Sequence, residues 1–199
     1  IAFDRRYEPK IIQLDDDYNV WLIFTKVIDK SPLMYNFKNL ITNLLDVTSV
    51  PLHFHIFVDN SSESLAKKIL VDANVTSVSY KYSFYDVAAS AKLIEDIVGI
   101  MTPHFSSRPG TYYSDSLFYL SLGLYRIAPK MQKRALMLDC DLYFKDDIMH
   151  LFDEIKQFGD KALFGLAPEL TPVYRHVLYS YKLQHNTSLG DYYHDYNVT

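Results

Sequence analysis

Apolar stretches of four to seven residues alternate with longer amphipathic segments along most of the chain. Five stretches have patterns typical of strands, at 20–25, 52–58, 78–84, 135–138 and 162–166. Between them, apolar residues recur at helical spacing in 32–45, 62–71, 86–101, 112–127 and 146–158. Strands and helices that alternate in this way predict an α/β fold with a mainly parallel, Rossmann-like sheet.

Residues that favour helix N-termini precede several of the amphipathic segments. Ser31 stands directly before a proline, which predicts an N-cap followed by proline at the first helical position. Asp86 and Asp146 are expected to cap the third and fifth helices in the same way. The segment 112–127 carries so few polar residues that we expect a single helix that is buried on both sides.

Composition places the chain among ordinary globular proteins. Its 199 residues are 49% hydrophobic and 22% charged, which excludes a disordered tail, a collagen-like fibre and a coiled coil. The net charge of -4 argues against a nucleic-acid partner, which would normally face a basic surface. No apolar run is long enough to cross a membrane, and the N-terminus does not resemble a signal peptide. Cys140 is the only cysteine, so no internal disulfide is expected.

Four N-x-S/T sequences, each an acceptor motif for N-glycosylation, occur along the chain. They begin at Asn60, Asn74, Asn186 and Asn197. Random placement would produce about one such match. The excess favours a lumenal or secreted glycoprotein, while coincidence in a sequence that contains Ser and Thr remains the alternative.

Two carboxylates directly follow the predicted strand at 135–138. On an extended segment Asp139 and Asp141 point to one side and Cys140 to the other. Open α/β sheets bind ligands at the carboxyl ends of their strands. Carboxylate oxygens suit Mg²⁺ or Mn²⁺, which commonly share their remaining positions with phosphates. The pair therefore predicts a metal-dependent nucleotide diphosphate site, whereas the second D-x-D, at 15–17, fits a solvated charge run.

Other candidate residues carry weaker signals. Thr25 and Lys26 follow the first strand, where either a nucleotide contact or an ordinary strand exit is expected. His53 and His55 face one side of a strand, and cross-strand packing or solvent exposure is favoured over a metal pair. Cys140 is a poor nucleophile because its flanking carboxylates disfavour a thiolate.

A polar group of three residues follows Pro172. It either lines a pocket or forms a loop-to-helix junction, and it consists of Tyr174, Arg175 and His176. The chain contains no G-x-S-x-G, H-E-x-x-H, P-loop or G-x-G-x-x-G sequence. No covalent catalytic nucleophile is therefore identified.

Four ordered stretches together resemble the GT-A fold glycosyltransferases of family 8. The resemblance runs from about residue 20 to 190. The stretches are Phe24-Thr25-Lys26, Tyr112-Tyr113-Ser114-Asp115 with the apolar segment after it, Leu138-Asp139-Cys140-Asp141-Leu142-Tyr143-Phe144-Lys145, and Gly165-Leu166-Ala167-Pro168-Glu169 with Pro172-Val173-Tyr174-Arg175-His176.

The resemblance implies a xylosyltransferase. Its activity would be retaining transfer of xylose from UDP-xylose to xylose-glucose-O-Ser on EGF-like repeats, as in Notch. The D-x-D carboxylates of Asp139 and Asp141 would hold Mn²⁺ (or Mg²⁺). The other implied residues are Phe24, Thr25 and Lys26 at the uridine, Cys140 beside the sugar nucleotide, and Asp115, Tyr174, Arg175 and His176 on the substrate side.

The chain departs from the family pattern in three features. Family 8 enzymes take a third metal ligand from a downstream His that follows an Asn-Ser-Gly segment, and neither is found here. The family's N-terminal membrane anchor is also missing, so membrane attachment is expected only through a segment outside this sequence. We therefore expect an N-terminal part of a longer catalytic domain, from a type II membrane protein of the endoplasmic reticulum. The expected organisation is a stem at 1–19, a nucleotide-sugar-binding domain at 20–170 and the start of an acceptor-side region at 171–199.

Two other functions fit some of the same residues. Haloacid-dehalogenase-type phosphatases also place D-x-D after an apolar strand, with the first Asp as a nucleophile. They commonly have Thr or Val where this chain has Tyr143, and their motif usually comes early in the chain. A non-catalytic lumenal module that binds glycans through its tyrosines is the second alternative.

Overall fold

The computed structural model describes residues 18–73, 78–105, 115–159, 162, 164, 165 and 182–185. The chain divides into two compact units, Ile1–Gln157 and Phe158–Thr199, and every element named below belongs to the first. None of the helices among the described residues is both long enough and apolar enough to span a bilayer.

Four parallel strands form the sheet that the apolar stretches predicted. They are β1 (Tyr18–Phe24), β2 (Leu52–Val58), β3 (Tyr80–Asp86) and β4 (Leu136–Met137), in the order β3-β2-β1-β4. Phe24 pairs with Val58, and Val58 pairs with Asp86. The carboxyl ends of three strands therefore lie level at one edge of the sheet, where an open α/β fold binds its ligands.

Seven α-helices lie among the described residues of the first unit, and most begin at a side-chain cap. They are α1 (Pro32–Val47), α2 (Asn60–Asp72), α3 (Val87–Lys92), α4 (Glu95–Phe105), α5 (Ser116–Tyr119), α6 (Leu124–Ile127) and α7 (Ile148–Glu154), with a 3-10 turn at Ile155–Gln157. The N-cap expected at Ser31 is confirmed, since its hydroxyl accepts the Met34 N–H at 3.4 Å. Asp86 caps α3, as expected, by accepting the Ala89 N–H at 2.7 Å.

The prediction of one continuous helix over 112–127 was wrong for residues 115–127, the part of this segment that the structure describes. Two short helices, α5 and α6, occur there, with a turn and Gly123 between them. A Cβ on Gly123 would lie 2.1 Å from Ile94 Cγ2, so the chain passes too close to this side chain for any residue but glycine. Glycine is also a weak helix former, which agrees with a break in the helix at this position.

Other elements also differ from expectation, several of them by one or two residues at an end. The helix predicted over 86–101 is divided into α3 and α4, and Asp147 rather than Asp146 caps α7. The strand β3 lies two residues further along the chain than predicted. The strand predicted over 162–166 falls partly outside the described residues, and its described residues are not in a strand.

Helices cover both faces of the sheet and form two apolar clusters. Val20, Leu22 and Phe24 pack with the buried faces of α1 and α2 on one side. Trp21 and Phe57 pack on the other side with residues of α5, α6 and the α3–α4 junction. Burial of the strands on both faces explains why their sequences are apolar without interruption.

A hydrogen-bonded polar group lies beside the second cluster. His55 is 1% exposed, its Nδ1 lies 2.9 Å from the Tyr85 hydroxyl, and its Nε2 lies 2.9 Å from Asn19 Oδ1. Its ring stacks on Trp21 with centroids 4.4 Å apart, and the centroid of the His53 ring lies 3.8 Å away. Both ring nitrogens of His55 are engaged with residues of neighbouring strands, and His53 Nε2 lies 2.8 Å from Ser83 Oγ. Cross-strand packing, one of the two arrangements favoured over a metal pair, is therefore confirmed.

His55 should make the stability of the protein depend on pH. Burial, with smaller effects from His53 and Lys81, lowers the pKa of His55 to about 2. The unfolded chain takes up this proton near pH 6.5 and the native state does not, so stability is complete above pH 6.5 and is lost below it. We expect His55 to lower the free energy of unfolding by about 2 kcal/mol between pH 6.5 and 5.0.

Urea denaturation at a series of pH values measures this effect. Carboxylates also titrate in acid and change the stability of both proteins. The effect of His55 is therefore the slope of the free energy of unfolding against pH in the wild type, minus the same slope in His55→Gln. His150→Gln is the matched control, because the His150 side chain is 62% exposed. Equal pH slopes in the wild type and His55→Gln would contradict the prediction.

Candidate functional site

A cavity of about 610 Å³ opens at the carboxyl ends of β1 and β4. Four chain segments supply its polar lining, although most of them are far apart in sequence. They are the exit of β1 with Thr25 and Lys26, helix α1 with Asn36, the start of α5 with Asp115, and the segment after β4 with Asp139, Cys140 and Asp141. The structure thus brings six sequence-predicted site residues to one place.

The segment after β4 has the alternation that its sequence predicted. Asp139 and Asp141 are exposed and line the cavity, while Cys140 is 7% exposed and belongs to the core beside β1. The Cys140 thiol donates a hydrogen bond to the Ile23 carbonyl at 3.2 Å. Burial, reinforced by the two neighbouring carboxylates, raises the pKa of Cys140 to about 12. The thiol therefore stays protonated near neutral pH, and it is not an activated nucleophile.

Two contacts hold this segment against the rest of the sheet and α1. The Leu138 N–H donates to the Trp21 carbonyl at 3.0 Å, which continues the pairing with β1. The buried Asn43 side chain accepts from the Phe144 N–H at 2.6 Å and donates to the Phe144 carbonyl at 3.0 Å. Asn43 thus anchors the chain just beyond the carboxylate pair. Sequence reasoning missed this residue, since only its buried position on α1 reveals it.

Lys26 extends from an unusual backbone conformation into the cavity. Its φ is 56°, in the left-handed region, where a residue other than glycine needs support from its surroundings. Its ammonium lies 2.8 Å from Asp115 Oδ2. The hydrogen bond to Asp115 and the charge of that carboxylate raise the pKa of Lys26. Burial acts to raise the pKa of Asp115, but the Leu117 N–H and Lys26 outweigh it and lower that pKa.

The β2–α2 junction supports the backbone at Lys26. Asp59 Oδ2 accepts the Lys26 N–H at 2.5 Å, while its Oδ1 accepts the Ser62 N–H at 2.8 Å and caps α2. The hydroxyl of Ser62, which is fully buried, accepts the Val27 N–H at 3.0 Å. Burial acts to raise the pKa of Asp59, but hydrogen bonds from Ser61, Lys26 and Ser62 lower it to about 2. Neither Asp59 nor Ser62 was predicted as a site residue from the sequence. The available signal was that Asp59 directly follows a buried strand and precedes a helix, a position where aspartate commonly caps the helix.

The donor set fits a hard divalent ion with external ligands. Asp139 and Asp141 present exposed carboxylate oxygens to the cavity. Among the residues that the structure describes, no three His, Cys, Asp or Glu side chains are grouped closely enough to hold a metal. Two carboxylates that leave most positions to water and phosphate oxygens are a common way to bind Mg²⁺, and Mn²⁺ takes similar ligands. The residues present therefore suit Mn²⁺ or Mg²⁺ bound together with a diphosphate.

The remaining site predictions have different positions. The side chain of Phe24 is buried in the core and packs on Phe37, with ring centroids 4.3 Å apart, so any contact from Phe24 to a ligand falls to its backbone. Asn60 is the exposed first residue of α2. The other predicted positions lie outside the described residues: Asn74, Tyr174, Arg175, His176, Asn186 and Asn197.

Known proteins match the chain in both sequence and structure. Xyloside xylosyltransferase 1 of Mus musculus is 33% identical over 182 residues, covering 88% of this chain and 46% of that protein. The Homo sapiens protein of the same name is 34% identical over 172 residues, covering 83% and 44%. The chain is homologous to xyloside xylosyltransferase 1. It spans about half the length of these relatives.

The crystal structure of mouse xyloside xylosyltransferase 1 in its apo form confirms the expected fold. It matches with a TM-score of 0.77 at 33% identity and covers 88% of this chain and 61% of that chain. The α/β architecture of GT-A type is therefore established. A more distant relative is the xylosyl- and glucuronyltransferase LARGE2 of Mus musculus, 30% identical over 128 residues, which are 62% of this chain and 16% of that protein. No family model matches the chain.

Proposed function

We propose that this chain is the nucleotide-sugar-binding part of a xylosyltransferase that uses UDP-xylose as its donor. The observation that carries the proposal is that Lys26, Asp139 and Asp141 line the same cavity at the carboxyl edge of the sheet. This edge is where α/β folds bind nucleotides. Homology to xyloside xylosyltransferase 1 supports xylose as the transferred sugar.

The acceptor follows from family resemblance. We propose xylose-glucose-O-Ser on EGF-like repeats of Notch-type proteins, extended by an α-1,3 linkage with retention of the anomeric configuration. The proposed location is the lumen of the endoplasmic reticulum, as part of a type II membrane protein. The four N-glycosylation motifs support a lumenal location.

The chain's own residues would bind and orient the donor. Asp139 and Asp141 would hold Mn²⁺ (or Mg²⁺), which when bound neutralises negative charge on the departing diphosphate. The ammonium of Lys26 lies in the same cavity and would add a positive charge beside the phosphates. The acceptor hydroxyl would attack on the face that UDP leaves and pass its proton to the leaving phosphate. Rate enhancement would then come from positioning and electrostatics.

The two alternatives receive no comparable support. A haloacid-dehalogenase-type phosphatase uses the first carboxylate of its D-x-D as a nucleophile, and a module that binds glycans through its tyrosines does not need a carboxylate pair. The relatives named above are transferases, and the mouse xylosyltransferase shares the fold of the chain. The xylosyltransferase assignment therefore stands as our proposal.

Calorimetric titration of the full-length protein with UDP tests the assignment. We expect UDP to bind with Mn²⁺ present and at least about tenfold more weakly after chelation, because two carboxylates alone repel a diphosphate. UDP-xylose should compete with UDP, and a simple phosphomonoester should not be hydrolysed. Turnover of a phosphomonoester, or binding of glycans without any binding of UDP, would contradict the proposal.

A further inference from the structure

The loop after β1 takes its shape from contacts with a different strand. Lys26 and Val27 donate their backbone N–H groups to Asp59 Oδ2 and Ser62 Oγ, at 2.5 and 3.0 Å. Both acceptors belong to the junction between β2 and α2. Since Phe24 and Val58 pair in parallel register, the exits of β1 and β2 are held side by side. The loop conformation therefore depends on residues more than thirty positions away in sequence.

The two acceptors are themselves held in place. Asp59 uses its second oxygen to accept the Ser62 N–H at 2.8 Å and the Ser61 hydroxyl at 2.6 Å. Ser62 is fully buried, so its hydroxyl has little freedom to turn away from Val27. A carboxylate that accepts several N–H and O–H donors is a strong, well-oriented acceptor. The junction thus presents two fixed acceptors to the loop.

The direction of the Lys26 side chain follows from this arrangement. With φ at 56°, Lys26 places its ammonium 2.8 Å from Asp115 in the cavity that Asp139 and Asp141 also line. A lysine seldom keeps a left-handed conformation without support. If the Asp59 contact were lost, the backbone would move toward the ordinary φ region and the ammonium would leave the cavity.

We propose that Asp59 and Ser62 are positioning residues that hold the loop after β1 in the conformation that binds the nucleotide. This inference rests on the proposed function, since it assigns these residues to the same UDP site. Neither side chain lines the cavity, so both act through the backbone of Lys26 and Val27. A loop that spends only a tenth of its time in the competent conformation binds about tenfold more weakly.

Asp59→Ser in the full-length protein is the principal test. Serine keeps an N-cap oxygen for α2 but lacks the second oxygen that reaches Lys26. We expect the Kd for UDP with Mn²⁺ to rise about tenfold and the KM for UDP-xylose to rise with it, while kcat changes less than about twofold. Hydrogen exchange at the Lys26 amide should become faster, which reports the loop without any ligand.

Asp86→Ser is the matched control for Asp59→Ser. Asp86 ends the neighbouring strand in register with Val58 and caps α3, and it is absent from the cavity lining. Its replacement should lower thermal stability by a similar amount and leave both UDP affinity and exchange at Lys26 unchanged. Equal weakening of UDP binding in the two variants would overturn the inference, because a general loss of helix capping would then explain it.

Ser62→Ala, with Ser90→Ala as its control, keeps the inference testable if Asp59→Ser does not fold. Ser90 is also a buried serine, on α3, and it does not line the cavity. We expect Ser62→Ala to speed exchange at Val27 and weaken UDP binding severalfold, and Ser90→Ala to do neither. If both Asp59→Ser and Ser62→Ala keep wild-type UDP affinity and slow amide exchange, the positioning role is overturned and the proposed function is unaffected. Failure of the wild type to bind UDP would instead overturn the proposed function and, with it, the role of this junction.

Discussion

Replacement of Asp139 or Asp141 by asparagine will reduce xylose transfer by the full-length protein on the order of a thousandfold, as expected when preorganised charge at a reacting centre is lost. Each substitution keeps the size of the side chain and removes one negative charge from the cavity. An amide is a far weaker ligand for a hard divalent ion than a carboxylate. Both carboxylates are exposed, so the loss of function should occur without a loss of folding.

The measurement is the initial rate of transfer from UDP-xylose over a range of Mn²⁺ concentrations, together with thermal unfolding. Asp153→Asn is the matched control, because it removes a carboxylate of α7 from an exposed ion pair with Lys156 in the following 3-10 turn. Such pairs contribute little to stability, so this variant should keep wild-type rates and stability. Wild-type activity in either Asp139→Asn or Asp141→Asn would refute the metal assignment.

Trp21→Ala will lower the free energy of unfolding by about 3–5 kcal/mol, which is typical for truncation of a fully buried large aromatic residue. Trp21 lies in the central strand β1 and is fully buried. Its ring stacks on His55 and also packs against Phe57 and Tyr85, with centroids 5.2 and 4.6 Å away. The substitution would leave a cavity beside a buried histidine and remove the partner of its ring.

Trp21→Phe separates loss of packing from loss of hydrogen bonding. The indole Nε1 of Trp21 is buried and has no hydrogen-bond partner among the described residues. Phenylalanine therefore loses no hydrogen bond and keeps most of the ring, and we expect a cost below about 2 kcal/mol.

Urea denaturation measures both Trp21 variants against Tyr125→Ala. The Tyr125 side chain is among the exposed large hydrophobics at 71% exposure, and its truncation should cost less than about 0.5 kcal/mol. Equal losses of stability in Trp21→Ala and Trp21→Phe would contradict the packing argument.

Local patterns were sufficient for much of the fold. The strand predicted over 52–58 has those bounds in the structure, because a run of alternating and continuous apolar residues between turn signals has few other solutions. The cap at Ser31 was equally readable, since the hydroxyl and the N–H that it accepts are three residues apart. The exposed Asp139 and Asp141 and the buried Cys140 follow from the alternation of an extended chain.

Contacts between segments that are distant in sequence could not be predicted from local patterns. The helix predicted over 112–127 is interrupted at Gly123, and Gly123 packs closely against Ile94, which is almost thirty residues earlier in the chain. His55 carried only a period-two signal, and its role was decided by Asn19 and Tyr85 on neighbouring strands.

The sequence by itself determined an α/β chain with a carboxylate pair at the end of a buried strand, because hydrophobic periodicity and strand alternation act over a few residues. Only the tertiary structure decided that Lys26 adopts a left-handed backbone supported by Asp59. It also decided that Asp115 and the segment after β4 share one cavity with that lysine. The physical reason is that strand register and close packing bring these groups together, and neither depends on the residues adjacent to each group in the chain.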